Sequence, residues 1–510
     1  MSADAHTGAH HGVPLHRGMI TLTVMVASIL QALDNTIANV ALPRMQGSLS
    51  ATQDQMTWVL TSYIVAAAIM TPLTGWLADR FGRKPLFLVS IIGFTLASAL
   101  CGMAQSLGQI VLFRLLQGLC GAALIPMSQA VLFDAYPPAQ HGRAMAIWGV
   151  GVVLGPMLGP MLGGWLTDDY SWRWVFYINV PFGILAVLGV LAYFPDTTHA
   201  RKSFDFFGFA LLSLAVGTLQ LLLDRGPLKD WFNSGEIRLE SAIAALAFYL
   251  FVVHTLTAKR PFIRLALYKD RNFLTGNILI FVVGIVLFAT LALLPPLLQG
   301  LMGYSVFQAG LTMVPRGVGT LIAMLLVGRM IGRIDVRLII GAGLLLTAFS
   351  LWQMTHLSMQ LNMASIVWPG AIQGLGIGIV YVPMAALTFA TLAPAMRNEG
   401  TALFNLIRNV GSSIGISTVQ GLMVRNIQVV HASLAQHITP LTLAHHGLGV
   451  YAGAQAVAAL NRSVTAQASM IAYLDDFRLM LVLTVLALPL LLLVRNPRSA
   501  AAEVKHAALE

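Results

Sequence analysis

Long apolar stretches recur along the whole chain, and each has roughly the length that a helix needs to cross a bilayer. At a rise of about 1.5 Å per residue, about 20 apolar residues cover a hydrocarbon core of about 30 Å. About fourteen such stretches are bounded by charged residues, Pro or Gly. They begin near residues 19, 57, 86, 109, 144, 173, 207, 238, 273, 308, 338, 364, 402 and 476. The pattern predicts an all-α integral membrane protein with about fourteen transmembrane helices.

The scarcity of charge supports the same class. The 510 residues include 30 Lys and Arg and 20 Asp and Glu, whereas an average soluble protein of this length carries about 128 charged residues. With 57% hydrophobic residues, the chain lacks the polar surface that soluble domains require. Soluble, disordered and fibrous classes are therefore excluded.

The distribution of the cations predicts the orientation. Proteins of the bacterial inner membrane concentrate Lys and Arg in their cytoplasmic loops. With the N-terminus inside, 19 of the 30 cations fall on the inner side, including clusters at 80–84, 259–271 and 329–337. Both termini are then cytoplasmic, and the net charge of +10 is explained without nucleic acid as a partner.

Two short patterns occur twice in the chain. Gln117-Gly118-Leu119 returns about 256 residues later as Gln373-Gly374-Leu375, and residues 75–84 have a degenerate echo at 328–337. Transporters built from two parallel bundles produce such echoes. The predicted organisation is a cytoplasmic tail at 1–18, a six-helix bundle at 19–195, two additional helices at 207–258, a second six-helix bundle at 273–495 and a cytoplasmic tail at 496–510.

Within the second bundle, a long outer segment is predicted at about 426–474. It contains Ala-rich stretches that are compatible with helix. It forms either a small periplasmic subdomain that contacts a partner or a solvated loop with a helical hairpin.

The first span ends in a polar pattern. Gln31, Asn35 and Asn39 recur every four residues, and Asp34 lies three residues after Gln31. These spacings place the four side chains on one stripe of a helix, which we expect to face the substrate cavity. An ionised carboxylate is costly at this depth, so Asp34 is suited to take up and release protons. The alternative is a structural aspartate satisfied by neighbouring amides.

Arg114, in the fourth span, is expected at a depth similar to that of Asp34. A guanidinium does not deprotonate, so Arg114 would tune a nearby carboxylate or attract an anionic substrate. Gln117 on the same span is a further candidate for the cavity. The alternative for Arg114 is a packing role with backbone carbonyls as partners, and we expect Arg316 and Arg408 to snorkel toward the membrane interfaces.

Glycines every four residues form a ridge along the fifth span. They are Gly151, Gly155, Gly159 and Gly163, with Pro156 and Pro160 between them. Such a ridge lets another helix approach closely, and each Pro removes one backbone hydrogen bond. We expect this motif to form a hinge or a sealing surface between the two halves.

Residues 75–84 combine a tight turn with charge. The motif residues are Gly75, Asp79, Arg80, Gly82 and Arg83. Gly82 permits the bend, and the cations hold the loop on the inner side. Beyond this topological role, we expect Asp79 to latch one conformation by pairing with an arginine or a helix N-terminus. The echo in the second half lacks the acid, so the latch should be one-sided.

The sequence indicates neither a cofactor nor a metal site. It contains no GxxxxGKS or GxxxxGKT loop, which argues against ATP hydrolysis. Cys101 and Cys120 lie in apolar stretches, and the histidines lack zinc-ligand spacing. A membrane-embedded enzyme is disfavoured, because the few ionisable residues within spans do not converge as a catalytic cluster would.

Taken in order, these motifs resemble the fourteen-spanner drug:proton antiporter branch of the major facilitator superfamily, and within it the EmrB subfamily. The matching segments are 33–43, 75–84, 114–123, 151–164 and 172–181, with shorter matches at 223–226, 230–232 and 236–237. The fifth-span motif departs from the family by its doubled Gly-Pro. The resemblance covers nearly the whole chain and implies the major facilitator fold, with two six-helix bundles and two extra helices.

The resemblance further implies export of amphipathic toxic compounds, driven by proton entry. By the same resemblance, the partners would be an EmrA-like periplasmic adaptor and a TolC-like outer-membrane channel, besides the membrane lipid. An importer or facilitator of a small metabolite with the same fold is the alternative, and the glycine ridge disfavours it.

Overall fold

The computed structural model describes residues 16–137, 140–195, 204–331, 333–360, 363–393, 396–438 and 454–494. Regular structure within these ranges is helical, apart from one isolated β-bridge between Ile331 and Ile334. Residues 1–15 of the predicted N-terminal tail, the predicted C-terminal tail at 496–510 and the centre of the predicted outer segment, 439–453, lie outside the described residues.

The first half contains nine helices in its described residues, of which several pair into single spans. They are α1 (Arg17–Ser48), α2 (Gln53–Met70), α3 (Leu73–Phe81), α4 (Arg83–Met103), α5 (Leu107–Gly121), α6 (Leu124–Ala135), α7 (His141–Asp169), α8 (Trp174–Tyr177) and α9 (Asn179–Tyr193). The pair α2 and α3 is bent by 56°. Pro72 lies at this break and lacks the N–H that would continue the helix.

The remaining helices continue the same pattern. They are α10 (Phe206–Arg225), α11 (Gly235–Thr257), α12 (Ala266–Lys269), α13 (Arg271–Pro296), α14 (Val306–Met330), α15 (Val336–Met354), α16 (Ala364–Ala390), α17 (Arg397–Gln436) and α18 (Ala454–Ala487). Capping boxes begin α2 and α14, where Thr52 and Ser305 each accept from the backbone three residues on and a Gln side chain returns the bond.

Twelve helices in the described ranges are long and apolar enough to cross a membrane, or up to thirteen if α2 and α3 form one span. The helix α17, which holds the thirteenth predicted span, is not among them, since Asn, Ser, Thr and Gly are frequent along it. Large apolar side chains are exposed along α11, as expected where lipid is the solvent. The count of fourteen spans stays a prediction.

Contacts between the halves involve only some helices. The helix α7 packs against α14, while α3 and α6 pack against the start of α17. The additional pair α10 and α11 is joined to both halves, because α10 packs against α2 in the first half and against α17 in the second. Ser417 of α17 donates to the carbonyl of Leu223 over 2.5 Å at this junction.

The glycine ridge of α7 packs inside the first half. A Cβ added at Gly155 would lie 2.5 Å from Cβ of Ala32, and one added at Gly159 would meet Thr36. Gly151 and Gly163 also approach α1. The expected sealing surface between the halves is therefore wrong for these glycines, because their face of α7 is covered by α1. Pro156 and Pro160 lie within the continuous helix α7.

This packing predicts that Gly155→Ala destabilises the protein by about 1–3 kcal/mol, since the added methyl group collides with α1 backbone and side-chain atoms. The thermal unfolding midpoint of purified protein should fall. Gly108→Ala is the matched control, because a Cβ added there meets nothing within 4 Å. Equal midpoints for the two variants would contradict the close approach of α7 to α1.

Candidate functional site

A buried ion pair joins α1 and α5 in the interior of the first half. Asp34 lies on α1 and Arg114 on α5, and the two side chains are 0% and 1% exposed. Nη1 of Arg114 donates to Oδ2 of Asp34 over 2.5 Å. The structure thus brings into contact the two charged residues that the sequence marked as candidates for proton coupling.

Amide groups complete the surroundings of the Asp34 carboxylate. Nε2 of Gln117 and Nδ2 of Asn179 donate to Oδ1 of Asp34, over 2.9 and 3.0 Å. Nε of Arg114 donates to the carbonyl of Val59 over 3.1 Å. Helices α1, α2, α5 and α9 therefore meet at one charge pair. Such a pair is tolerated in an apolar interior only when further hydrogen bonds satisfy its remaining polar atoms.

Asn179 and Ser98 are members of this network that the sequence reasoning missed. Nδ2 of Asn179 also donates to Oγ of Ser98 over 2.9 Å, and both side chains are fully buried. Asn179 belongs to the 172–181 motif, so its position was marked but its role was not. The ring of Tyr63 lies 4.3 Å from the guanidinium carbon of Arg114, in cation–π geometry.

The polar stripe of α1 is split between two environments. Asn35 and Asn39 are exposed, whereas Gln31 is buried and its Oε1 accepts from the backbone N–H of Ile125. Asp34 and Gln117 are also buried. The expectation that all of these residues face an open cavity is therefore wrong for Asp34, Gln31 and Gln117, because neighbouring helices cover them.

The arrangement holds two opposite charges together in an apolar interior. Arg114 bonds to one carboxylate oxygen of Asp34, and the amides of Gln117 and Asn179 bond to the other. Removal of either charge would leave the other without its counter-ion in a low-dielectric interior. The contacts of α1 with α5 and α9 therefore depend on both charges.

The second half contains a related but unbalanced arrangement. Nε2 of Gln373 donates to Oγ1 of Thr290 over 3.3 Å, where Gln117 donates to Asp34 in the first half. Arg316 is 5% exposed and Nη2 donates to the carbonyl of Leu287 over 3.3 Å. The expectation that Arg316 snorkels is wrong, because its side chain turns into the helix bundle.

Arg408 and Asp476 are also buried in the second half. Nη1 of Arg408 donates to the hydroxyl of Tyr381 over 3.2 Å, so snorkelling is wrong for this residue too. Asp476 on α18 is 1% exposed, and neither carboxylate oxygen has a hydrogen-bond partner among the described residues. The sequence reasoning missed Asp476 because it placed the residue at the start of a span.

A polar cluster closes the predicted inner end between the halves. Nδ2 of Asn398 donates to Oδ1 of Asp79 over 2.6 Å, and Nε of Arg83 donates to Oδ1 of Asn398 over 2.8 Å. Gly75 permits this approach, since an added Cβ would lie 3.0 Å from the carbonyl oxygen of Asn398. Gly82 adopts a φ of +88°, which favours glycine. Asp79 thus contacts the other half through an amide.

Asp134 at the end of α6 extends the cluster. Arg83 donates to one of its carboxylate oxygens, and Nη1 of Arg397 donates to the other over 3.1 Å. Arg80 instead is exposed and lies over the ring of Trp76. We refer to Asp79, Arg83, Asp134, Arg397 and Asn398 together as the latch. Asn398 and Asp134 could not be identified from sequence, because they carry no motif.

The family model of the Major Facilitator Superfamily matches residues 24–416. The chain belongs to this superfamily. Its members are membrane transporters, so the predicted fold and the transporter class are confirmed, and the protein is a multi-pass membrane protein rather than an enzyme.

Curated relatives place the chain near the EmrB-type members of the superfamily. The fatty acid resistance protein FarB of Neisseria gonorrhoeae is 36% identical over 486 residues, which is 94% of this chain and 96% of that protein. The multidrug export protein EmrB of Escherichia coli K12 is 36% identical over 425 residues, or 83% of each chain. The predicted EmrB resemblance is confirmed.

A solved structure supports the fold independently. The human organic anion transporter MFSD10 superposes with a TM-score of 0.60 at 16% identity, covering 92% of this chain and 99% of that one. At this identity, the likeness concerns the major facilitator fold alone.

The latch predicts a conformational effect of Asn398→Ala. Loss of the amide removes the contacts of Asp79 and Arg83 with α17, so the predicted inner end should open more often. Spin labels at Phe81 and Arg329, on opposite halves, would report the distance after Cys101 and Cys120 are replaced by Ser. We expect a longer-distance population to grow.

Asn233→Ala is the matched control for this experiment. Asn233 is exposed and its side chain donates to Asp230 in the segment between α10 and α11. Its distance distribution should match that of the wild type. An unchanged distribution for Asn398→Ala would show that the latch does not hold this end closed.

Proposed function

We propose that the protein is a drug:proton antiporter of the bacterial inner membrane that exports amphipathic toxic compounds. The observation that carries the proposal is the Asp34–Arg114 pair, a buried carboxylate in a membrane helix with a counter-ion that cannot deprotonate. The printed names of its relatives, a multidrug export protein and a fatty acid resistance protein, support export of such compounds.

The proton acts through Asp34. Entry from the outer side protonates the carboxylate and releases Arg114 from its charge partner. Release of the proton toward the cytoplasm restores the pair. Because α1, α2, α5 and α9 share this network, each change of protonation shifts the packing of the first half, and alternating access follows by rocking of one half against the other.

The drug binds between the halves. Asn35 and Asn39 lie on the exposed face of α1, between the side where Gln31 contacts α6 and the side where Thr36 contacts α7. Both α6 and α7 also contact the second half. The exposed amides therefore face the space between the halves, which is where transporters of this architecture hold their substrate.

The latch defines the closed side in this conformation. Its residues lie at the predicted inner end, and Asn405 of α17 adds a bond of 2.6 Å to Oε1 of Gln129 on α6. With N- and C-termini in the cytoplasm, the conformation described is closed toward the cytoplasm. Opening of the latch then admits drug from the inner side.

The described parts of the predicted outer segment, 426–438 and 454–474, are here called the outer hairpin. They fit a role with a periplasmic adaptor of the EmrA type and a TolC-like channel. At about 1.5 Å per residue, the 40 residues of α17 extend to about 60 Å, twice the thickness of the hydrocarbon core. Near the outer ends of α17 and α18, Nε2 of His431 lies 2.9 Å from Oδ1 of Asn461, which links the two helices. Val429 and Val457 are exposed on this extension.

The proton assignment predicts that Asp34→Asn abolishes drug-driven proton movement. The asparagine keeps the size of the side chain and can still bond to Gln117 and Asn179, but it cannot carry a proton. The measurement is proton flux in proteoliposomes upon addition of a transported drug. Asp168→Asn, at an exposed ion pair with Arg44, should leave the flux unchanged.

Stability separates the proton role from a folding defect. Removing one partner of a buried pair costs about 3–5 kcal/mol, whereas removing both leaves no uncompensated charge. The double variant Asp34→Asn, Arg114→Gln should therefore regain thermal stability relative to either single variant but not proton coupling. Coupled exchange at the wild-type rate in a folded Asp34→Asn variant would refute the assignment.

The adaptor role predicts a separable defect. Val429→Arg with Val457→Arg should lower drug resistance in cells that contain the adaptor and the channel, because two charges oppose apolar docking. Drug:proton exchange in proteoliposomes should stay at the wild-type rate. The paired change Val482→Ala with Val485→Ala, on the membrane part of α18, is the control. Full resistance with the charged variant would argue against docking at the hairpin.

A further inference from the structure

Among the described residues, no carboxylate forms an ion pair with the buried guanidinium of Arg316, and its Nη1 has no hydrogen-bond partner. Its Nη2 donates to the carbonyl of Leu287. A cation in a membrane interior is retained at a high free-energy cost, so a buried guanidinium with an unpartnered N–H indicates a missing anionic group.

The internal repeat shows which group is missing. The offset that relates Gln117 to Gln373 also relates Asp34 to Thr290. Both amides donate to the side chain of the first helix of their half, a carboxylate in one case and a hydroxyl in the other. The second half therefore has the amide and the cation of the network but a neutral residue in the place of the acid.

Arg316 takes over the position of Arg114 from another helix. The repeat relates Arg114 to Gly370 of α16, and a Cβ added at Gly370 would lie 3.9 Å from Cβ of Arg316. Because Gly370 has no side chain, there is space beside α16 for the arginine of α14. The second half therefore retains a buried arginine, as in the first half, but not the carboxylate that pairs with it.

The position is close to the boundary between the halves. Gly317, the next residue of α14, approaches Met157 of α7, since an added Cβ would lie 2.5 Å from its sulfur. The backbone of Arg316 is therefore one residue away from a contact between the halves.

We propose that Arg316 binds the carboxylate head group of an anionic amphipathic substrate. The inference rests on the proposed function, because it assigns a substrate class to the space between the halves where the drug is proposed to bind. A carboxylate matches a guanidinium in charge and geometry, and its apolar tail would lie between the halves. In this proposal, Asp34 in the first half binds the proton and Arg316 in the second half binds the anionic substrate.

The test is binding of three probes with the same chain length to the purified protein in lipid nanodiscs at pH 8. The probes are dodecanoate, dodecanamide and dodecyltrimethylammonium. For Arg316→Gln we expect the affinity for dodecanoate to fall at least about tenfold, with affinities for the other two within about twofold of wild type. Arg316→Lys keeps the charge, so its affinity for dodecanoate should lie between those of the wild type and of Arg316→Gln.

Arg408→Gln is the matched control, as another buried arginine of the second half with a hydroxyl partner; it should leave all three affinities unchanged. Equal losses of all three probes in Arg316→Gln, or no loss, would overturn the inference, and so would wild-type protein that does not bind dodecanoate. Proton flux driven by dodecyltrimethylammonium separates failure of the Arg316 site from failure of the antiporter function. If this flux is present but Arg316→Gln does not weaken dodecanoate binding, the Arg316 site alone is refuted. If none of the three probes drives proton flux, the result counts against the antiporter itself.

Discussion

The buried ion pair of Asp34 and Arg114 requires the surrounding helices to supply hydrogen-bond partners. A charge pair in a medium of low dielectric constant is stable only when its other polar atoms are satisfied. The backbone of α2 and the amides of Gln117 and Asn179 supply these bonds. Four helices are therefore held in register by one ion pair and its hydrogen bonds.

The two halves repeat their backbone but not their charge. The amide of Gln117 returns in Gln373, while Asp34 is replaced by Thr290 and the arginine moves from α5 to α14, the counterpart of α2. One half thus contains a buried ion pair, whereas the described residues of the other place no carboxylate beside its buried Arg316. With the roles proposed for Asp34 and Arg316, this divergence separates two chemical tasks that a symmetric transporter would have to perform at one place.

Sequence alone could predict the residues that break a strong rule. Charge in an apolar span marked Asp34 and Arg114, and period-four glycines marked close packing of α7. The partner of that packing could not be predicted, because small-residue ridges carry no information about which helix covers them. Asn398 was also beyond prediction, since its role depends on a fold that brings α3 and α17 together from distant parts of the chain.

The chemistry of Asn398 has a consequence for the way the halves separate. Its amide links an acid and a base of the other half without bearing a net charge. Attraction between an amide dipole and a charge falls with distance faster than attraction between two ions. The contacts of Asn398 therefore act only at close range and are lost after a small displacement. The ion pair of Arg397 with Asp134 crosses the same boundary and acts over a longer distance. Closure at this end thus combines a short-ranged contact that salt hardly affects with an attraction that salt screens.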